Sequence, residues 1–495
     1  MTPGRDLAVD LIGNDWSLLV PDEGARWHPS RTVSICIPTR NPGEGLRRTL
    51  RCLAAQTYPH HLIEVVVCDD GSDVPVDIDI DVETSITYRV VRQELTLAFG
   101  AGRARNTAAR AAEGDILFFL DADVIPERRV VEAYARWFEG SRLSVPMGLC
   151  RFVDVDGLSD DQLFDLVNAG EMAAHFAGQE VDDQGWRERH FERTDDLRRE
   201  WADAFRITIG ATLAVTTEQF HAVGGFRELG VRGVEDTEFG YRLHRNGGVL
   251  ILDRDAQHWH QGRRNLSTDR RRAEIDRVRA PFVDALIPIS GFRRLDHEGH
   301  SPVEPVPVLR VHVRGHDESQ RSLTRASLCE VVSRDLVVVE ADVPSADFDP
   351  AVAHVVLDAG VVVDDEVTRL IRDELHRREV GVIRAVLDVP EDHGREPLEC
   401  VVVSTRAWRR VVQTCDPEAS FEQLLQAAAS RFGVWWADGT TIGLRVPSDQ
   451  REEQDVPVAT LRWRLDRMRL WFRRARRRML SRTFDVVVDL LKRWS

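Results

Sequence analysis

Leu120-Asp121-Ala122-Asp123-Val124 decides how this chain is read. It closes an apolar run, Asp115-Ile116-Leu117-Phe118-Phe119, with two carboxylates one residue apart. Successive residues leaving a strand point to opposite sides, but a sharp bend at the strand end brings alternate acids to one cation. Acids placed where a parallel strand ends suit a divalent metal that holds a diphosphate. Asp-x-Asp by itself is more often a pair of solvated surface acids. The flanking sequence therefore has to carry the argument.

Upstream, Thr32-Val33-Ser34-Ile35-Cys36-Ile37-Pro38-Thr39-Arg40-Asn41 reads as a strand running into a polar loop. Leu46, Leu50, Leu53 and Ala54 follow at helical spacing, and Val65-Val66-Val67-Cys68 is a second strand, ending in Asp69-Asp70-Gly71-Ser72. In such a βαβ unit, ligands sit beyond the carboxyl ends of the strands. Asp69 and Asp70 are thus placed to accept hydrogen bonds from a base N–H or a ribose hydroxyl. Gly100-Ala101-Gly102-Arg103-Ala104-Arg105-Asn106 opens another helix and supplies Arg103 and Arg105 as cationic forks beside a diphosphate. Downstream, Glu127 to Phe138 reads as helix and Val145 to Leu149 as strand. Residues 154–204, rich in charge and carrying Trp186 and Trp201, read as a helical insertion that either shapes an acceptor site or is a solvated excursion. Thr208 to Val215 returns to strand, and Gly224-Gly225 turns the chain before Glu235-Asp236 begin a helix, Thr237 to Arg245. The helix dipole explains one acid there, but not both, nor the glycines before them.

In these segments the chain resembles the family 2 glycosyltransferases of the GT-A fold. The carriers are Ile37-Pro38-Thr39-Arg40-Asn41, Asp69-Asp70-Gly71-Ser72, Ala104-Arg105-Asn106, Phe119 through Asp123, Gly224-Gly225-Phe226 and Val234 through Leu243. The last block also looks like the acceptor-side motif of galactosyl- and N-acetylgalactosaminyltransferases and of bacterial chondroitin-type polymerases. The resemblance implies an α/β, Rossmann-like nucleotide-diphospho-sugar transferase domain. It implies that Pro38, Thr39, Arg40, Asp69, Asp70, Arg103, Arg105 and Asp121 contact the nucleotide sugar. Asp121, Asp123 and His260 would hold Mn²⁺ or Mg²⁺, with His258 the second choice of histidine, and Arg263 and Arg264 would fold over the diphosphate. Asp236 would be the general base of an inverting transfer and Glu235 an acceptor-binding residue. The implied reaction moves a hexose or N-acetylhexosamine from a nucleotide-diphosphate donor, a UDP-sugar first, to a hydroxyl of a glycan or other acceptor in bacterial glycan or glycoconjugate synthesis. A non-catalytic glycan- or nucleotide-binding scaffold of the same fold is the alternative.

Composition sets the frame. With 495 residues, two or three domains are expected. A net charge of −16 argues against nucleic acid as a partner. The seven cysteines have no paired spacing, and Cys36, Cys68, Cys329 and Cys400 read as buried thiols in apolar strands of a cytoplasmic protein. No apolar signal core or membrane span is expected. Residues 1–30 read as a lead-in anchored by Trp16 and Trp27, and 31–300 as the catalytic domain.

Residues 303–450 read as a stripped GT-A-like repeat. Val355-Val356-Leu357-Asp358-Ala359-Gly360-Val361 echoes Phe118 through Val124, and Val402 through Trp408 echoes Ala214 through Phe220. The repeat is chemically empty, because Gly360 stands where the first half has Asp123, and Ser420-Phe421 stand for Glu235-Asp236. Residues 457–495 read as a basic amphipathic helix, with nine arginines between Leu461 and Arg478. That helix either lies peripherally on an anionic membrane surface at the inner face of the cell membrane or packs on the second domain.

Overall fold

A computed structural model describes residues 6–20, 27–78, 84–96, 100–181, 185–230, 233–262, 269–293, 303–331, 335–387 and 397–446. The apolar runs of the first half pair side by side. In chain order the elements are β1 (Val33–Thr39), α1 (Gly43–Leu53), β2 (Ile63–Asp70), β3 (Thr87–Gln93), α2 (Ala101–Ala111), β4 (Ile116–Leu120), β5 (Val124–Pro126), α3 (Val130–Gly140) and β6 (Ser144–Val153). Then follow α4 (Asp160–Ala169), α5 (Met172–His175), α6 (Gly185–Thr194), β7 (Thr212–Thr216), α7 (Thr217–Ala222), α8 (Glu235–Arg245), β8 (Val249–Gln261) and α9 (Asp269–Leu286). The sheet order is β3-β2-β1-β4-β7-β6-β8-β5. β3, β2, β1 and β4 run parallel, whereas β7 is antiparallel to both β4 and β6.

Helices cover both faces of the parallel strands, so β1 and β4 are buried at every position and read as continuous apolar runs. Their register sets Cys36 beside Phe119 and Thr39 beside Asp69. The ends of β1, β2 and β4 therefore open on one edge, the usual place for a ligand.

The 154–204 segment is helical, as α4, α5 and α6. A capping box between Ser159 and Gln162 starts α4. Arg48 and Arg51 of α1 hold its first acids, Asp160 and Asp161, at 2.8 and 2.5 Å. Trp186 is exposed and Trp201 half-buried. Trp16 and Trp27 do anchor the lead-in, stacking near Trp137 and Tyr58 respectively.

The second half continues with β9 (Leu309–Arg314), α10 (Glu318–Glu330), β10 (Leu336–Val339), β11 (Ala353–Asp358), β12 (Val362–Val363), α11 (Val367–Arg378) and β13 (Val382–Leu387). It closes with β14 (Leu398–Ser404), α12 (Thr405–Thr414), α13 (Phe421–Phe432), β15 (Val434–Asp438) and β16 (Leu444–Arg445). Its sheet, β10-β9-β11-β14-β13-β15, follows the order β2-β1-β4-β7-β6-β8 strand for strand. The directions agree too, with β14 antiparallel to both neighbours as β7 is. The cysteine expectation needs one correction. Cys36, Cys68 and Cys400 are buried in strands, but Cys329 is exposed near the end of α10, a helix started by the Asp317 cap. The 457–495 segment lies outside the described residues, as do Arg263 and Arg264.

The two halves meet along α8 and α12. A helix leaves its last carbonyls without partners, and those of α8 are satisfied by arginines from α12. Arg406 donates to the carbonyls of His244 and Gly248 at 2.9 and 2.8 Å, and Arg410 to Gly247 at 2.6 Å. Positive charge at a helix C-terminus is also favoured by the dipole. Gly247, at φ +85°, lets the chains approach, since a Cβ there would lie 3.0 Å from the Arg410 nitrogen. The helix that begins with Glu235-Asp236 is therefore held at its far end by the second half.

Candidate active site

Arg105 organises the open edge of the first sheet. It projects from α2, is almost wholly buried, and donates to Asp121 at 2.6 Å while facing Glu235 at 3.5 Å. Phe226 lies under its guanidinium at 5.4 Å, and Gly210 lets it fit, because a Cβ there would come within 2.5 Å of the Arg105 Cζ. A buried arginine between two carboxylates is stable only while both remain, and losing it would leave them unpaired at a cost of roughly 3–5 kcal/mol.

Glu235 is committed to this brace. Its other oxygen accepts the backbone N–H groups of Gly233 and Val234 at 2.9 and 3.1 Å. Both of its oxygens are thus engaged within the chain. Asp236, half-buried beside it, accepts the Thr237 N–H on Oδ1 at 2.7 Å. Burial, and then the like charge of Glu235, push its carboxyl up to about 6, against the opposing pull of Arg105. A carboxylate poised near neutral pH is suited to general-base work.

Asp123 and His260 come together, with His260 Nε2 3.5 Å from Asp123. The backbone brings them there, as Val124 pairs with His260 across β5 and β8 and Gln261 donates to the Asp123 carbonyl. His260 stacks on Phe152 at 4.4 Å, which fixes its ring. Asp121 does not join them: its contact is Arg105. Among the described residues no three His, Cys, Asp or Glu side chains converge as a metal-holding group. The expected set of Asp121, Asp123 and His260 is corrected to the pair Asp123–His260, because the nearer charge draws Asp121 away. That pair still fits a hard divalent cation as two ligands, since the Asp123 side chain is half exposed and an imidazole nitrogen faces it. His258 is no ligand. It is completely buried between Phe118 and Tyr134, and burial holds its pKa down to about 3.

The nucleotide-side residues divide. Thr39 ends β1 nearly buried, with its hydroxyl lacking any hydrogen-bond partner, and Arg40 beyond it is exposed. Pro38 is buried in the strand itself. Asp69 is fully buried and accepts from Ser72 N–H, Val76 N–H and Arg92 at 2.8, 3.2 and 3.1 Å. Those donors hold its carboxyl below the usual range despite burial. Asp70 accepts from Gln93, the Gly100 N–H and Arg103. Both acids thus fix the loop after β2 and the start of α2. Arg103 is likewise tied to Asp70 and to the Glu94 carbonyl.

Asn106 has a role that its motif alone did not reveal. It grips Phe226 in both directions, accepting its N–H and donating to its carbonyl, both at 2.8 Å. Gly225 makes room, since a Cβ there would lie 2.7 Å from Asn106 Oδ1. The only signal in the sequence was a glycine pair beside an aromatic residue.

Residues 34–211 match the family model described as glycosyl transferase family 2. Residues 34–211 are thus those of a glycosyl transferase family 2 domain. Chondroitin synthase of Escherichia coli is 26% identical over 300 residues, covering 58% of this chain and 43% of that protein. Hyaluronan synthase of Pasteurella multocida is 28% identical over 311 residues, covering 59% and 30%. Validoxylamine A glucosyltransferase of Streptomyces hygroscopicus subsp. limoneus is 33% identical over 249 residues, covering 48% and 53%. The chain thus spans less than half the length of the two synthases.

Proposed function

We propose that the first half transfers a hexosyl or N-acetylhexosaminyl group from a nucleoside diphosphate, UDP foremost, to an acceptor hydroxyl with inversion. The observation that carries this reading is Asp236, a carboxyl with a raised pKa at the open end of α8 beside the Arg105–Asp121–Glu235 brace. Its Oδ1 is held by the Thr237 N–H, so Oδ2 takes the acceptor proton. The acceptor oxygen then bonds to the anomeric carbon as the bond from that carbon to the diphosphate oxygen breaks. Arg105 keeps Asp121 and Glu235 from drifting toward Asp236. The buried, unpartnered hydroxyl of Thr39 at the end of β1 would contact the nucleoside. Mn²⁺ or Mg²⁺ held by Asp123 and His260 would supply Lewis-acid neutralisation of the diphosphate.

In this reading the second half is a degenerate copy of the first that braces α8 from behind. We further propose a cytoplasmic enzyme held on anionic membrane by residues 457–495, which flotation of full-length and truncated protein with anionic liposomes tests. The central test incubates the full chain with a panel of UDP- and GDP-sugars and Mn²⁺, without acceptor. Slow hydrolysis of one donor, lost in Asp236→Asn, is expected. Binding of nucleotide with no turnover of any donor, with or without acceptor glycans, would instead favour a scaffold.

A further inference from the structure

A cleft of about 60 Å³ opens between the C-terminal end of α8 and helices α11 and α12. It lies at the opposite end of α8 from Asp236, roughly 15 Å along the helix. Basic groups from both halves of the chain line it, and several of them are incompletely satisfied. Arg245 is 5% exposed, lies against the Tyr241 ring at 5.3 Å, and has a buried Nε without a hydrogen-bond partner. No carboxylate pairs with it among the described residues. Arg372 is 8% exposed; its Nε and Nη2 hold Asp373, which leaves Nη1 buried and unpartnered. His376, one turn along α11 from Arg372, adds a buried Nδ1 in the same condition.

The acids in this cleft are already taken. Glu200 is gripped by Arg406 through both oxygens, at 2.7 and 3.1 Å, and Glu379 pairs with Arg199 at 2.9 Å. A buried guanidinium N–H without an acceptor is disfavoured, and an oxyanion that accepts several N–H groups at once is its natural complement. Packing alone does not account for two such arginines, brought from opposite halves of the chain to face one cleft.

We propose that this cleft binds a tetrahedral oxyanion, either free phosphate or the phosphate group of a small metabolite, between Arg245 and Arg372. The bound anion joins the two halves at the foot of the helix that carries Asp236. The site is separate from the donor site at the end of β4 and does not depend on the reading given for that site.

The test is calorimetric titration of the full chain with inorganic phosphate and, in a separate arm, with a hexose 6-phosphate. Wild type is expected to bind saturably. Arg372→Ala should bind at least tenfold more weakly, and Arg372→Lys, which keeps the charge but loses the fork, severalfold more weakly. Thermal unfolding follows the same logic, because a ligand that binds only the folded state raises the midpoint. Phosphate should therefore raise the wild-type midpoint more than that of either variant. Tighter binding of the hexose phosphate would identify a metabolite as the ligand, and equal binding would identify the free ion. Equal phosphate affinity in wild type and both variants would place the anion elsewhere, and no saturable binding in either arm would overturn the proposal. Should Arg372→Ala not fold, Arg372→Lys alone decides between these outcomes.

Discussion

The ends of β4 and β11 occupy the same place in two sheets of matching strand order, yet they differ in what their acids are free to do. At the first, Asp121 meets the buried Arg105, and two residues on Asp123 stands half exposed with His260 in reach. At the second, Asp358 has both oxygens in use, one by Arg314 and one by the Glu399 N–H at 2.6 Å. Arg314 and Arg384 then share Glu399 at 2.9 Å each, and Arg384 also holds Glu422. Two residues beyond Asp358 the chain has Gly360 at φ +103°. A chain of ion pairs occupies the place where the first half leaves a carboxylate and an imidazole facing each other. The same topology thus carries two arrangements of acids at its strand ends: an Asp–His pair beside a buried arginine in one half, and a continuous chain of ion pairs in the other.

The comparison breaks most visibly at Asp236, whose counterpart in the second half is Phe421. Asp236→Asn retains the shape and the acceptor for the Thr237 N–H but cannot take a proton. Turnover should fall by ~10²–10⁴ with nucleotide binding preserved. Steady-state kinetics beside nucleotide titration measures both, and unchanged turnover would remove Asp236 from its role.

Asp123→Ala should come next. It removes one of the two groups suited to the cation and should weaken Mn²⁺-dependent nucleotide binding by about 10–100-fold, the range seen when support of a metal site is lost. Titration of UDP with and without chelator reads this directly. A variant as tight as wild type in Mn²⁺ would show that the cation is held elsewhere.

The pH profile sharpens the same contrast. Asp236 must be ionised to act, and burial beside Glu235 raises its pKa to about 6. Turnover should therefore be level above that value and fall about tenfold per pH unit below it, as the proton returns to the carboxylate. A profile flat down to pH 4.5 would exclude this group as the base.

Much of this was legible in the sequence, and the failures share a cause. The βαβ order, the strand ends and the helix start at Glu235 follow from apolar periodicity and local turn chemistry, which need only neighbouring residues. The partners of each acid do not. Asp69 and Asp70 looked open because the groups that fill them, Arg92, Gln93 and Arg103, come from β3 and α2. Asp121 looked like a metal ligand because nothing in the sequence says that Arg105 is buried against it. Arg406 and Arg410 look like a solvated helix face, yet both are buried, with acceptors that include carbonyls some 160 residues earlier. Buried arginine bonded to backbone leaves no pattern in sequence.

The smallest effects on activity belong to the second half. Asp358→Ala should leave turnover unchanged while lowering stability by ~1–3 kcal/mol, since Arg314 and the Glu399 N–H lose their acceptor. Denaturant unfolding beside the kinetic assay separates the two, and lost turnover with an intact fold would point to a working second site.

Gly360→Asp asks whether one residue is all that separates the two strand ends. It restores the Asp-x-Asp pattern, but three features oppose a metal site. Gly360 sits at φ +103°, where an L side chain is strained, and a Cβ there would lie 2.7 Å from the Gln320 side-chain oxygen. Asp358 has no free oxygen to share. β15, the strand in the place of β8, carries Val434-Trp435-Trp436-Ala437-Asp438 and no histidine. Made in the Asp123→Ala background, so that the first site is silent, Gly360→Asp should show no saturable Mn²⁺ uptake by calorimetry and a stability loss of ~1–3 kcal/mol. Stoichiometric Mn²⁺ binding would mean that the ion-pair chain yields readily, and that the two strand ends differ by a single side chain and not by a network.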